Sequence, residues 1–255
     1  MTEPSPKVAH SARLLNHLLG GTDNHPVDRA AAEQMLRHLP GLVTWARSNR
    51  RFLGRAVRYL TGTAGVTQFL DVGAGLPTAD NTHQVAPGAT VLYADNDPQV
   101  VAHARKLLTD GATNSGATYI EADLRDPDHI LRAAAATLDL SAPVAVMLIG
   151  VVDFIVDDRA AAAAVRDLMA GLPSGSYLVL THPTLEVAPE AVVRAMEWWN
   201  ASGSAPICAR TPSEVAGFFR GFDLLDPGVV TVTRWRPDGD DTSPVPEYAG
   251  MARKG

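Results

Sequence analysis

Apolar residues recur along this chain at two different periods, and the change of period divides it. Over residues 8–19, 26–38 and 42–60 they return every three or four positions, the spacing of a helix with one buried face. Leu14, Leu15, Leu18 and Leu19 share a face of the first helix, which Gly20-Gly21 stops. The second opens at Pro26, turns Val27, Ala31, Met35 and Leu39 inward, and breaks at Pro40-Gly41. The third carries the cleanest stripe: Leu42, Trp45, Ala46, Phe52, Leu53, Ala56, Val57 and Leu60. From Phe69 onward the rhythm changes to short apolar runs separated by helical stretches. The run beginning at Phe69 and residues 90–94, 117–121, 144–149 and 177–181 read as strands. Helices are expected over 99–108, 127–137 and 159–170, within 183–199, and over 211–219. Residues 222–232 and 248–253 read as two terminal strands. The polar stretches 109–116 and 236–247 read as loops, the second rich in Pro, Asp and Gly and expected to be mobile. Alternation at this density predicts an α/β fold, a parallel sheet with helices on both faces.

The chemistry collects where the strands end. Asp71 closes the first strand and is followed by Gly73-Ala74-Gly75; Pro77 suits the first position of a helix. About 20 residues beyond Gly75 the second strand ends in Asp95-Asn96. The third ends in Asp123-Leu124, the fourth runs into a turn that opens at Gly150 and holds Asp153, and the fifth reaches His182. Ligands of such sheets bind at the carboxyl ends of the strands, so one edge gathers all of these groups.

Strand, glycine turn, helix, strand and acid frame a nucleotide-type cofactor; two details favour S-adenosylmethionine over NAD, and a third, Asp95, serves either cofactor. A diphosphate needs free backbone N–H groups at a helix N-terminus, and here Leu76-Pro77 removes one donor and adds bulk. Asp71 would repel a diphosphate but attract the ammonium of a methionine moiety. Asp95 can accept both ribose hydroxyls, with Asn96 beside it; Asp123 can accept from the adenine amino group, with Leu124 against the ring. A plain strand-end acid is the other reading of Asp123.

Two polar features interrupt the helical region. Asn49 falls on the apolar stripe of the third helix, where an unpaired amide costs about 1–3 kcal/mol; either backbone satisfies it or it points at a ligand. Arg47, Arg50 or Arg51, Arg55 and Arg58 line the other side as a solvated face, unless one of them binds the methionine carboxylate or an acidic substrate. The loop Gly20-Gly21-Thr22-Asp23-Asn24-His25-Pro26 is either a capped helix–helix turn or the edge of a lid over the cofactor.

Composition changes this picture only by exclusion. With 255 residues, 46% hydrophobic and 20% charged, the chain can bury a full core. A net charge of −6 lacks the basic footprint of nucleic-acid binding. The lone Cys208 rules out an internal disulfide and fits a reducing cytoplasm. No apolar run suits a signal peptide or a membrane span. The eight histidines are scattered without a His-x-x-x-His pair, and there is no Gly-x-Ser-x-Gly elbow.

These residues resemble a class I S-adenosylmethionine-dependent methyltransferase: Asp71-Val72-Gly73-Ala74-Gly75 is similar to its first motif, Asp95 to its ribose-binding acid and Asp123-Leu124 to its adenine-contacting pair. More narrowly, several segments resemble a high-GC bacterial family of methyltransferases long catalogued as a domain of unknown function. These are Leu18-Leu19-Gly20-Gly21-Thr22-Asp23-Asn24, Asn49-Arg50-Arg51-Phe52-Leu53, residues 69–81, Asp123-Leu124-Arg125-Asp126-Pro127 and Ser174-Gly175-Ser176-Tyr177-Leu178-Val179-Leu180. The resemblance implies a Rossmann-like, seven-stranded, mostly parallel sheet whose last strand is antiparallel, with residues 1–62 as a helical lid and 63–255 as the cofactor-binding core. It also implies that Gly21, Asn24 and Asn49 serve the cofactor, alongside Asp71, Gly73, Gly75, Asp95, Asn96, Asp123, Leu124 and Gly150. Two positions depart from the pattern: Pro77 stands where the broader class commonly has glycine, and Asp153 where many members of the narrower family carry histidine.

The expected activity is methyl transfer from S-adenosylmethionine to an oxygen or nitrogen of a small molecule, leaving S-adenosylhomocysteine, in the cytoplasm and without nucleic-acid or membrane partners. Asp153 and His182 are the candidates for a general base, with a structural strand-end role as the alternative for each. The rival readings are an NAD-dependent oxidoreductase and a protein that binds the sulfur cofactor without chemistry.

Overall fold

The structure, a computed structural model, describes residues 7–77, 80–110, 116–239 and 242–255. Thr78 of the glycine-turn segment, most of the loop expected at 109–116, and residues 240–241 lie outside the described residues.

Three helices precede the first strand, as the periodicity predicts: α1 (Ser11–Leu18), α2 (Pro26–His38) and α3 (Leu42–Gly62). There follow β1 (Gln68–Val72), α4 (Thr82–Val85), β2 (Thr90–Asp95), α5 (Pro98–Asp110), β3 (Ala117–Glu121), α6 (Pro127–Ala134) and β4 (Ala145–Ile149). A single 3-10 turn (Val152–Phe154) leads to α7 (Asp158–Ala170), β5 (Tyr177–Pro183), α8 (Pro189–Ala201) and α9 (Pro212–Gly217). Three strands complete the described chain: β6 (Asp223–Leu224), β7 (Val230–Thr231) and β8 (Glu247–Arg253).

The sheet order is β3-β2-β1-β4-β5-β8-β6, with β7 also on β8. β1 to β5 pair in parallel, and β8 runs antiparallel to β5, to β6 and to β7. The antiparallel last strand is as expected, and among the described residues the sheet has eight strands where seven were expected. The single strand expected over 222–232 is split, because Pro227 has no N–H to donate and Gly228 turns the chain at φ 83°.

Alternation along the strands loads both faces of the sheet. Leu70, Leu92, Val146, Leu148, Leu178 and Leu180 pack against α6 and α7 on one side. Phe69, Val91, Ala145, Met147 and Val179 pack against the second half of α3 on the other, through Phe52, Leu53, Ala56, Val57 and Leu60. A third cluster joins α1, α2, the start of α3 and α8 through Leu14, Ala32, Leu42, Val192 and Trp199. α1 and α2 are further tied by buried Asp28, which accepts from Arg13 Nε at 2.9 Å and from the His10 and His25 backbone N–H groups.

Arg55 does not belong to a solvated face. It is buried, and its guanidinium donates to the carbonyls of Trp235 and Val232, groups that local pattern along α3 cannot foresee. The loop expected at 236–247 is likewise anchored at its end: Val245 is buried, and Glu247 is the first residue of β8, opposite Pro183. No helix among the described residues is long and apolar enough to cross a membrane.

Candidate functional site

β1 delivers Asp71 to the carboxyl edge of the sheet, where it is buried and its Oδ2 accepts from Thr82 Oγ1 at 2.7 Å. Burial pushes its carboxyl up to about 6, against the opposing pull of the Thr82 bond and of the Arg50 guanidinium. Gly73 then turns the chain at φ 73°, and its N–H donates to Ala94 O at 2.8 Å. Gly75, at φ 62°, donates to Asp95 Oδ2 at 2.9 Å, while Asp95 Oδ1 accepts from Asp97 N–H at 3.0 Å. The two acids and two glycines singled out in the sequence are thus one connected unit.

Pro77 does not open a helix. Asp80 has a left-handed φ of 59°, so α4 begins only at Thr82, where the Asn81 N–H donates to Gln84 Oε1 at 2.9 Å. The helix after the glycine turn is one turn long, a poor seat for a diphosphate.

The N-terminal segment lies over this turn. A Cβ on Gly75 would stand 3.4 Å from Ala12 Cβ, His10 Nε2 is 3.1 Å from Asp97 Oδ2, and Asp23 Oδ1 is 3.0 Å from His103 Nε2 of α5. Gly21 and Asn24 shape the loop that makes this crossing. Asn24 Nδ2 donates to Asn16 Oδ1 and to Gly21 O, its Oδ1 accepts from Arg29, and a Cβ on Gly21 would collide with Asn16.

At the third strand end, Asn96 Nδ2 donates to Asp123 Oδ2 at 3.0 Å. Arg125 grips the same carboxylate and holds it well below the usual range. Leu124 is buried in the core beneath.

α3 contributes two consecutive residues. Arg50 lies within electrostatic reach of Asp71, which sets it apart from exposed Arg47 and Arg51. Asn49 Nδ2 points to Glu247 Oε1 at 3.4 Å and would lie 3.6 Å from a Cβ on Gly150, itself at φ 65°. Glu247 was not a sequence candidate. It is 1% exposed, its Oε2 accepts from Trp45 Nε1 at 2.9 Å, and burial, then Asp153, raises its carboxyl well above the usual range. The available signal was a lone acid between Pro246 and the apolar start of a strand.

The two general-base candidates occupy different environments. His182 is fully buried with both nitrogens engaged: Nδ1 at 2.9 Å from Pro183 O, and Nε2 accepting from Arg210 at 2.6 Å. Burial lowers it to about 4, and Arg210 adds to the effect, so the ring stays neutral and has no free lone pair. Asp153, in contrast, is 6% exposed with its Oδ1 unpartnered, and burial pushes it up to about 7.

That environment has a measurable consequence. Below about pH 4 the Asp153 carboxyl is protonated in folded and unfolded chains alike. As pH rises toward about 7 the unfolded chain releases this proton and the folded chain retains it, so stability falls and the loss is complete above 7. Asp153→Asn removes that loss. Its melting temperature at pH 8 is expected to exceed the native one by roughly 5 °C or more, with the gain gone at pH 4. His182 titrates in the opposite sense below 6.5, but equally in both proteins, so the difference reports the Asp153 charge together with its effect on Glu247. Thermal unfolding at the two pH values checks it; an equal gain at both would remove the buried charge as its cause.

A family profile described as S-adenosyl methyltransferase matches residues 4–255 of the chain. The crystal structure of a DUF574-family protein from Streptomyces avermitilis superposes with a TM-score of 0.90 at 40% identity, covering 98% of each chain. A candidate methyltransferase from Thermobifida fusca superposes with 0.88 at 38% identity, covering 97% of this chain and 95% of that one. The magnesium protoporphyrin IX methyltransferase of Synechocystis, solved with bound S-adenosylhomocysteine, shares the fold at 13% identity, with a TM-score of 0.57 over 95% and 93%. No curated protein matches the chain.

Proposed function

Because the chain belongs to the S-adenosyl methyltransferase family, we propose that it carries a methyl group to an oxygen or nitrogen of a small-molecule acceptor. The residues present fit the cofactor by the chemistry of their charges. Asp71, an acid raised by burial, suits an ammonium; the neighbouring Arg50 suits a carboxylate; Asp95 suits a ribose diol; Asn96 and Asp123 suit the adenine edge. S-adenosylmethionine, when bound, supplies a methyl group activated by a sulfonium. The chain's part is to align the acceptor, worth up to roughly 7–11 kcal/mol, and to exclude water. In this reading Gly73, Gly75 and Gly150 let backbone approach the ligand, and residues 1–62 act as its cap, with Gly21 and Asn24 shaping the edge.

Burial carries the small-molecule reading. Asp153 and Glu247 are 6% and 1% exposed, so an acceptor that meets either carboxyl enters the interior rather than lying against an open face.

Calorimetric titration with S-adenosylmethionine, S-adenosylhomocysteine and NAD tests the reading. Both sulfur ligands are expected to bind and NAD to give no heat. Asp95→Ala, which removes the diol acceptor and leaves the Gly75 N–H unpaired, should loosen them by about 30- to 100-fold, as losing a charge-assisted hydrogen bond does. Binding of NAD alone would sink the proposal.

A further inference from the structure

We propose that Asn49, Asp153, Thr181 and Glu247 form the acceptor subsite, and that the group they receive is an amine. This rests on the methyltransferase reading above and narrows its acceptor from oxygen or nitrogen to nitrogen.

Topology locates the subsite. In the order β3-β2-β1-β4-β5 the ligand-binding acids occupy the ends of β1, β2 and β3, so the methionine end of the cofactor belongs at β1. The next strand ends beyond it are those of β4 and β5, where Gly150, Asp153 and Thr181 stand and where antiparallel β8 begins with Glu247. Four elements therefore bring one polar side chain each to the place an acceptor must occupy. Asn49 links the two halves, since it adjoins Gly150 and Glu247 while the next residue, Arg50, neighbours Asp71.

Chemistry identifies the group received. Asn49 Oδ1, Asp153 Oδ1 and Thr181 Oγ1 are buried and lack a hydrogen-bond partner, although the Thr181 hydroxyl stands close to the Glu247 carboxyl. Buried polar atoms are rarely left so, and each unmade bond is costly. The Asn49 amide oxygen can only accept, Asp153 Oδ1 accepts when ionised, and the Asp153 and Glu247 carboxyls lie within electrostatic reach of each other. The cation nearest to Asp153, Arg210, already donates to His182, Asp158 and the carbonyls of Val152 and Ile155. A carboxylate or phosphate would add charge to two acids. An alcohol or phenol offers one donor. An amine offers two or three, with the charge complement when protonated.

The reaction balances on these residues. An arriving ammonium passes one proton to the ionised Asp153 carboxylate, which frees the nitrogen lone pair; the carboxyl then returns that proton to water. That pair forms the N–C bond as the C–S bond breaks, its electrons remaining on sulfur. The nitrogen emerges as a methylated ammonium and leaves with its charge.

Sinefungin tests the assignment without a known substrate, because it carries an amino-bearing carbon where S-adenosylmethionine carries its methylated sulfur. Its ammonium should reach these oxygens, whereas S-adenosylhomocysteine has nothing there. Calorimetry on the full chain is expected to show sinefungin binding about tenfold or more tighter than S-adenosylhomocysteine. In Asp153→Asn and Glu247→Gln the ratio should fall toward one, with S-adenosylhomocysteine affinity unchanged as proof of an intact fold; Thr181→Val supplies a third, uncharged variant that reduces it partly. Equal affinities in the native protein, or a preference that survives all three substitutions, would overturn the amine subsite while leaving the cofactor reading intact. If neither ligand binds the native protein, both readings fall.

Discussion

Replacing Arg210 by alanine is expected to cost about 3–5 kcal/mol of stability and lower the melting temperature by roughly 10 °C. The guanidinium holds together parts of the chain that share no secondary structure. It donates to Ile155 O at 2.8 Å, to Val152 O at 3.5 Å, to His182 Nε2 and to Asp158 Oδ1 at 3.0 Å, and lies 5.5 Å from the centre of the Phe218 ring. The Asp158 pair contributes little, since that side chain is 71% exposed. The loss comes from the others. Ile155 O and the imidazole would be left without a protein donor, at about 1–3 kcal/mol each. The imidazole would also lose the neighbouring positive charge that opposes its protonation, so its titration should move upward, a shift readable by NMR. Arg210→Lys can restore one of these bonds and should recover only part of the loss. Denaturant unfolding of both variants decides; a loss below about 1 kcal/mol for the alanine variant would mean that water replaces the guanidinium. Because the same group anchors the 3-10 turn carrying Asp153, the proposed acceptor side should loosen in parallel.

Gly73→Ala should be comparably damaging to stability and worse for ligand binding. An L-residue at φ 73° costs about 1–2 kcal/mol, and the new methyl would sit 2.4 Å from Val151 Cγ2 and 2.6 Å from Val151 Cβ. The second distance matters more. A Cβ cannot rotate away as a side-chain tip can, so backbone has to move on one side of the contact. The Gly73 N–H bond to Ala94 O and the neighbouring Gly75 bond to Asp95 both depend on that backbone. We expect a destabilisation of roughly 3 kcal/mol and S-adenosylhomocysteine affinity reduced by about a hundredfold or more. The two causes can be separated by a double-mutant cycle with Val151→Gly, which removes the collision but not the φ penalty. The double variant should lose less than the sum of the two single variants; additive losses would show that the contact with Val151 was not the source.

Both residues also show what could and could not be read beforehand. The Gly73 turn was legible because its parts are close in sequence: an acid, two glycines, and a second acid one strand and one helix later. Arg210 was not, because nothing in the pattern around residue 210 foretells the imidazole of His182. That single contact holds His182 as a neutral, anchored side chain. Arg55 repeats the lesson: its place among the arginines of α3 suggests solvent, and its partners are carbonyls about 180 residues downstream. Pro77 misled for a different reason. Proline is compatible with a helix start but does not compel one, and the left-handed Asp80 forbids a helix running on from it.

By itself the sequence determined the three leading helices, the five parallel strands and the row of acids at their ends. These follow from local geometry. A helix returns a side chain to the same face every 3.6 residues, a strand every two, and a chain that alternates the two must turn where the strands end. Only the tertiary structure decided which of those ends face a common interior. It brought Asn49 to Glu247 across 198 residues, left Asp153 Oδ1 without a partner, and closed His182 against Arg210. The physical reason is that burial and charge pairing depend on surroundings assembled from distant segments. A carboxyl's environment is set by what folds around it, and the residues beside it in the chain say little about that.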